Sequence, residues 1–188
     1  MTKKRSFVVP PSGKAVELTP ELTKEWVLET GREYVENIMR HKGELGLMVF
    51  AHKPGHPVSA YSLNEAWGGP WFMRDIAAAQ VGAHMRKEGM HCYLAVSEAW
   101  MLEVKVDKDA DLRGVANRTG APSAHPDRIE AVVLVAGDRT GTTGAVYRTI
   151  RKSDGKFSHL EEHKPAAGAP SMTDGRLADL LLDKGRAN

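Results

Sequence analysis

Glu98 is the residue whose position most strongly suggests chemistry, because the pattern around it places it on the apolar face of a predicted strand. Residues 91–106 alternate between two faces, and one face carries the apolar side chains of Leu94, Val96, Trp100, Leu102 and Val104. Glu98 falls on this same face. A carboxylate there must be ion-paired, keep its proton or line a pocket, since an unpaired buried charge is costly.

His125, Asp127 and Arg128 are the nearest candidate partners of Glu98, since they lie just before the next predicted strand. If the two strands pair, Arg128 reaches the Glu98 carboxylate as an ion pair. The four residues together then have the types that acid–base catalysis needs. A structural salt bridge that only holds the loop explains the same pattern, because such pairs also perturb carboxylates. A catalytic cluster and a structural ion pair therefore stay open as alternatives.

Two further strings imitate metal sites but lack residues that the metal needs. His159-Leu160-Glu161-Glu162-His163 matches a zinc-protease pattern, yet Pro165 interrupts any helix there and no glutamate follows in the chain. Residues 107–111 open like a calcium loop, but Leu112 and Arg118 stand where the loop needs glycine and glutamate. A solvated polar turn and an acidic surface loop are the expected structures.

The remaining candidate ligands are dispersed along the chain. Cys92 has no second cysteine or histidine at zinc-finger spacing, and the glycine-rich residues 137–144 lack the lysine and hydroxyl ending of a phosphate-binding loop. The sequence therefore predicts no metal or cofactor site. Dispersed ligands can still converge in three dimensions, and the histidines that would have to do so are His52, His56, His84, His91 and His125.

The composition is that of one folded domain. The chain has 188 residues, of which 41% are hydrophobic and 27% charged, far from the values of disordered chains. Its 26 basic and 24 acidic residues leave a net charge of +2, so no field of one sign selects nucleic acid or an anionic membrane. A single cysteine excludes an internal disulfide, and no signal-peptide or membrane-spanning run occurs. We therefore expect a cytoplasmic protein without a membrane role.

Two helices and several strands must position these residues. The first helix is predicted from a Thr19-Pro20 start to a glycine stop at Gly43, and the second from Phe72 to Gly89. A long polar connection, residues 107–128, has a length that is usually functional or disordered in compact domains. Strands are predicted as a hairpin at 45–51 and 58–63, and then at 91–106, 131–136 and 144–151.

The order of these elements predicts an α+β domain. We expect a mixed, mainly antiparallel sheet of four or five strands, with both main helices packed on one face. Residues 1–18 are expected to form a flexible basic arm and residues 19–164 the domain itself. Residues 165–188 are expected to be a linker that leads into a short terminal helix.

Two short motifs resemble a family of small uncharacterised bacterial and bacteriophage proteins. They are Ser97-Glu98-Ala99-Trp100 on a strand, and His125-Pro126-Asp127-Arg128 at the entry to the valine-rich strand that follows. The likeness spans residues 90–151. It implies an α+β arrangement and a mobile-element context, and it implies no reaction, because no activity is assigned to such proteins.

A binding or accessory module is the leading expectation, since the sequence contains no complete motif for a catalytic nucleophile, a metal site or a phosphate-binding loop. Its partner would be another protein or a small ligand, and self-association is a further option. A small hydrolase-like enzyme centred on Glu98 is the first alternative. The second is a nucleic-acid-associated protein, with Tyr147 and Phe157 stacked on bases. Its cations would be Lys3, Lys4, Arg5 and Lys14 in the arm and Arg148, Arg151, Lys152 and Lys156 near the last strands.

Overall fold

The computed structural model describes residues 7–8, 16–17, 23–65, 69–103, 125–164 and 180–181. The helices are α1 (Lys24–Lys42) and α2 (Trp71–Lys87). The strands, in chain order, are β1 (Phe7–Val8), β2 (Val16–Glu17), β3 (Met48–His52), β4 (Ser59–Ser62), β5 (Cys92–Met101), β6 (Ile129–Asp138), β7 (Gly141–Arg151) and β8 (Phe157–His163).

Six of the strands form one sheet in the order β4-β3-β5-β6-β7-β8, and each pairing in it is antiparallel. The α+β class and the mainly antiparallel sheet are therefore confirmed. The predicted count of four or five strands is too low, because residues 157–163 pair with β7 instead of forming a polar turn. The buried residues Phe157 and Leu160 are three positions apart, so this strand does not show the two-residue alternation that is typical of strands. A register shift beside Ile150 and Arg151 accommodates that spacing.

The helices lie on opposite faces of the sheet, so the prediction that both pack on one face is wrong. Alternate residues of β5 show this: Leu94 packs in a cluster with α1, whereas Tyr93 packs in a cluster with α2. The reason is that residues 92–96 of β5 are all buried, and a strand that is apolar on both sides needs cover on both sides. The result is a helix–sheet–helix arrangement.

Helix α1 has one apolar side and defined ends. Thr23 caps its start by accepting a hydrogen bond from the Trp26 amide at 3.3 Å, and Gly43 ends it with a φ of 78°. The predicted end is therefore confirmed, whereas the predicted start at Thr19-Pro20 falls outside the described residues. Val35 and Met39, both 0% exposed, turn toward the sheet.

Helix α1 also protects the free edge of β8. Arg32 Nη2 donates to the Leu160 carbonyl at 3.1 Å, and the Leu160 amide donates to Glu36 Oε1 at 3.2 Å. Unpaired strand edges invite pairing with other chains, and side chains that occupy the edge groups prevent it. The Arg32 guanidinium also lies 5.2 Å from the centre of the Tyr147 ring. The outer edge is thus covered at Leu160 by residues of the same domain.

Helix α2 buries Ala78 and Met85 against the other face. Leu180 and Leu181 join this cluster, and they form a turn in place of the terminal helix predicted there. The Leu180 carbonyl accepts a hydrogen bond from Arg86 Nη1 at 2.6 Å. The rest of that predicted helix lies outside the described residues.

Two other expectations are only partly covered by the described residues. Within the predicted arm 1–18, β1 and β2 pair as a two-stranded antiparallel ladder. Residues 104–124, most of the long polar connection, lie outside the described part of the chain. In the part that is described, no helix is long and apolar enough to cross a membrane.

Candidate functional site

Glu98 lies on the α1 side of the sheet near the C-terminal end of that helix, on the face that the alternation predicts. It sits opposite Val132 of β6, and Trp100 follows on the same face. The residue is exposed, while its carboxylate accepts a hydrogen bond from the Leu45 amide just after α1. The segment just after the C-terminal end of α1, and not the predicted loop, therefore supplies a hydrogen-bond partner of Glu98.

The electrostatic surroundings raise the pKa of Glu98 above its ordinary value. The first cause is partial removal of water from the carboxylate, and the nearby Glu130 and Glu44 carboxylates act in the same direction. The Leu45 hydrogen bond and the Arg151 charge oppose this shift. Glu98 is thus easier to protonate than a free glutamate, as a general acid would need to be.

Glu130 and Arg151 form the ion pair of this region. Arg151 donates Nε to Glu130 Oε2 at 2.7 Å, and its Nη2 bonds Oε1 of the same carboxylate. Such two-point contacts are the most specific form of the arginine–carboxylate pair. Arg151 Nη2 also reaches the carbonyl of Gly43 at 3.5 Å. The pair therefore ties β6 and β7 to the end of α1.

Arg128 is engaged elsewhere than predicted. Its guanidinium carbon lies 4.6 Å from the centre of the Trp100 ring, a cation–π distance. Trp100 remains 44% exposed. The cation whose charge acts on Glu98 is Arg151, so the expected Arg128–Glu98 ion pair is replaced by a stacked Arg128–Trp100 pair beside an Arg151–Glu130 pair.

His125 and Asp127 form a turn at the end of the strand pair. The Asp127 amide donates to His125 Nδ1 at 3.2 Å, and the Asp127 side chain is 85% exposed. Ile129 pairs with Met101, so the turn begins beyond the end of β5. Glu98 lies three residues inside that end, about 10 Å along the strand. Of the three predicted partners of Glu98, Arg128 is the one that the structure brings to the same face of the sheet, where it stacks on Trp100.

Glu130 and Arg151 are the site residues that the sequence prediction missed. Glu130 has the same parity as Val132 and Leu134 of β6, so alternation alone places it on the face of Glu98. Arg151 was assigned to the group of cations for nucleic acid. Its partnership depends on the register between β6 and β7, which the sequence does not state.

The zinc-protease string of residues 159–163 lies on a strand and not on a helix. His159 and His163 are four residues apart, which on a strand is about 13 Å. Two ligands that far apart cannot share one zinc ion. More generally, no group of three or more histidine, cysteine or carboxylate residues in the described ranges is arranged to hold a metal.

The fold buries the two aromatic rings, and pairs three of the cations, on which a nucleic-acid interface near the last strands would depend. Tyr147 and Phe157 are each 7% exposed and belong to the cluster under α1, so their rings are not available to stack on bases. Near them, cations pair with carboxylates: Arg151 with Glu130, Arg148 with Glu103 and Lys156 with Asp154. The basic arm is mostly outside the described residues.

An apolar surface on the outward side of α2 is the second candidate site. Phe72 is 48% exposed and Ile76 is 46% exposed, and Ala79 and Ala83 continue the same stripe at helical spacing. Met73, 41% exposed, borders it. We call these five residues the α2 outer face.

Cations follow the α2 outer face at its C-terminal end. Arg86 and Lys87 lie three and four residues after Ala83, so the helix brings them round to the end of the stripe. Both residues are exposed, although Arg86 also donates Nη1 to the Leu180 carbonyl on the inner side of the helix. The surface thus has an apolar part and a cationic end.

In comparisons with known proteins, no family model, no curated protein and no solved structure matches this chain. Its function must therefore be argued from these two surfaces.

Proposed function

We propose that this protein is a binding module that docks another protein through the α2 outer face. The observation that carries the proposal is the exposure of Phe72, Met73 and Ile76, three large apolar side chains within five residues of one helix. Contiguous apolar surface of this kind marks interaction sites in soluble proteins. The motif resemblance adds an accessory role in a phage or other mobile element to the proposal.

The partner that fits this surface is an amphipathic helix with acidic residues at one end. Its apolar stripe would cover the α2 outer face, and its carboxylates would meet Arg86 and Lys87. A second copy fits less well. Parallel copies would set these cations against themselves, and antiparallel copies centred on the stripe would set them beyond Trp71, the first residue of the other helix.

The test uses synthetic helical peptides with one leucine stripe. One peptide ends in glutamates, a second ends in lysines, and a third has the acidic sequence scrambled. Fluorescence anisotropy at low salt measures their affinities. The acidic peptide should bind at least about tenfold more tightly than the other two, because both the apolar contact and the charge are complementary.

Three variants locate the contact. Ile76→Glu should abolish binding, and Lys87→Glu should weaken it. Lys42→Glu is the matched control, because Lys42 is the exposed last residue of α1 as Lys87 is of α2. Equal binding of the acidic and basic peptides would refute the proposed partner. Concentration-dependent dimers that Ile76→Glu disperses, seen by sedimentation velocity, would show that a second copy occupies the face.

An acid–base site at Glu98 is the second candidate function. It is favoured by one observation: Glu98, with a raised pKa, shares a sheet face with the ion-paired Glu130 and the exposed Trp100. Two unlike carboxylates beside an exposed tryptophan suit hydrolysis of a sugar-like substrate. Hydrolysis of chromogenic glycosides or esters that Glu98→Gln abolishes in a folded protein would support it, and no turnover across such a panel would count against it.

Nucleic-acid binding is a third candidate, and it rests on the basic arm together with the exposed Lys152 of the hairpin. Titration of single- and double-stranded oligonucleotides at low ionic strength tests it. Salt-dependent binding that is lost when Lys3, Lys4 and Arg5 are neutralised would support this function.

A further inference from the structure

A row of three polar residues crosses the sheet under the first turns of α1, far from Glu98. The strand registers place His52 of β3 opposite Cys92 of β5, and Cys92 opposite Asp138 of β6. All three lie on the α1 side, because they have the same parity as the residues that pack in the α1 cluster. Side chains at such paired positions have Cβ atoms about 4.5–5.5 Å apart.

His52 is the unusual member of this row. It is 4% exposed, and within the described ranges of the chain neither of its ring nitrogens has a hydrogen-bond partner. A neutral imidazole carries one donor and one acceptor, and leaving either buried and unpaired costs about 1–3 kcal/mol. A buried group of this kind calls for a physical explanation, such as an ion that it binds.

Cys92 faces His52 in equally dry surroundings. It is 1% exposed and packs against Trp26, Val27 and Val58. Burial, together with the Asp138 charge, raises the pKa of the thiol to about 11. At neutral pH the sulfur therefore keeps its proton and is a poor nucleophile.

The order of the three residues also argues against a hydrolytic triad. A triad needs the histidine between the nucleophile and the acid, whereas here the cysteine lies in the middle. Asp138 is already engaged: its Oδ1 accepts hydrogen bonds from the Thr140 amide at 2.7 Å and hydroxyl at 2.6 Å, and Lys24 Nζ lies 3.8 Å away. Two side chains, Cys92 and His52, are left facing each other.

We propose that Cys92 and His52 together bind one monovalent soft cation of the copper(I) or silver(I) type. Thiolate sulfur and imidazole nitrogen are the donors that such ions prefer, and d¹⁰ monovalent ions accept two donors in a line. With bonds near the zinc values of about 2.0 and 2.3 Å, one ion spans a facing cross-strand pair. Zinc itself would need further ligands, which no group of the described residues offers.

Charge balance selects a monovalent ion for this buried place. On binding, the Cys92 S–H bond breaks, the proton leaves to solvent, and sulfur–metal and nitrogen–metal bonds form. The cation replaces one proton, so the site stays neutral in both states and no net charge is buried. A divalent ion would add one further positive charge in this apolar place, and the Asp138 carboxylate that could balance it is already engaged by Thr140 and Lys24.

The experiment is a silver(I) titration of the full chain in chloride- and thiol-free buffer, followed by native mass spectrometry. The wild-type protein should gain one silver and lose one proton. Cys92→Ser should lose this uptake. His52→Phe, which fills the same space without nitrogen donors, should weaken it at least tenfold in competition with a soluble silver chelator. His91→Ala is the matched control at an exposed histidine next to Cys92, and it should bind as the wild type does.

A second measurement serves if either variant fails to fold. X-ray absorption of the copper(I)-loaded wild type should show one sulfur and one nitrogen neighbour. The proposal is overturned by sulfur-only coordination, by equal uptake in His52→Phe and wild type, by equal loss in His91→Ala, or by a native protein that takes up no silver. These outcomes do not depend on whether the α2 outer face docks a partner.

Discussion

The two helices of this protein solve the same packing problem with different sequences. Helix α1 buries Val35 and Met39 against the sheet and turns charged residues such as Glu29 and Glu33 to solvent. Helix α2 buries Ala78 and Met85, yet its outward side is also apolar. The outward residues of α1 are charged and favour contact with water. Several of the outward residues of α2 are apolar and favour contact with another protein surface. Because the outer stripe of α2 is exposed while the inner residues are buried, we expect the stripe to add little to the stability of the fold and assign it to docking.

The largest effects should come from the buried sides of both helices, and the outer side of α2 should contribute little. Met39→Ala and Met85→Ala should each lower the free energy of unfolding by about 2–5 kcal/mol, because both side chains are 0% exposed. Ile76→Ala, at 46% exposure, should change it by about 0.5–1 kcal/mol at most. Urea unfolding measures all three. A loss at Ile76 as large as at Met85 would mean that the outer stripe is structural.

A smaller effect is expected where α1 covers the edge of β8. Glu36→Ala leaves the Leu160 amide without its acceptor and also removes the partner of Arg40, which lies 2.7 Å from Glu36. We expect a loss of about 1–3 kcal/mol in unfolding free energy, as for other unpaired buried groups. Glu36→Gln keeps an acceptor oxygen and should lose less. Equal losses in the two variants would show that charge, and not coverage of the edge, is what matters.

The next effect depends on pH and concerns His52 beneath α1. Burial, with smaller contributions from His91 and His56, lowers the pKa of His52 below 6.5. The unfolded chain therefore binds a proton there before the folded protein does, and stability falls as pH drops below about 6.5. His52→Phe should show a shallower fall between pH 7 and pH 5. Parallel stability curves for the two proteins would contradict a neutral buried imidazole.

The smallest effect is expected at Glu98, on the exposed margin of the α1 side. Its pKa is raised in the folded state, so its ionisation weakens folding as pH rises through that pKa. Glu98→Gln keeps an oxygen for the Leu45 amide and should equal or slightly exceed the wild type in melting temperature at pH 7. The difference should vanish at low pH, where both side chains are neutral. A clearly less stable variant at pH 7 would show that attraction to Arg151 outweighs desolvation.

Much of the architecture could be predicted from local patterns, and the failures have physical causes. Glu98 was placed on the correct face because alternation on a strand is a local property. Strand β8 was missed because its buried residues, Phe157 and Leu160, are spaced around a bulge. The partners of Glu98 were misassigned because Leu45 and Arg151 arrive from distant parts of the chain. Their meeting depends on helix placement and strand register.

The sequence by itself determined that the chain forms an α+β domain with two helices and a mainly antiparallel sheet. Periodicity and turn residues act over a few neighbours, so they can be recognised without the fold. Only the tertiary structure decided which side of α2 meets the sheet, since α2 has apolar residues on its outward side as well as on its buried side. The tertiary structure also placed His52 opposite Cys92. The sequence could not show this, because the pairing depends on the register between two strands that are distant in the chain.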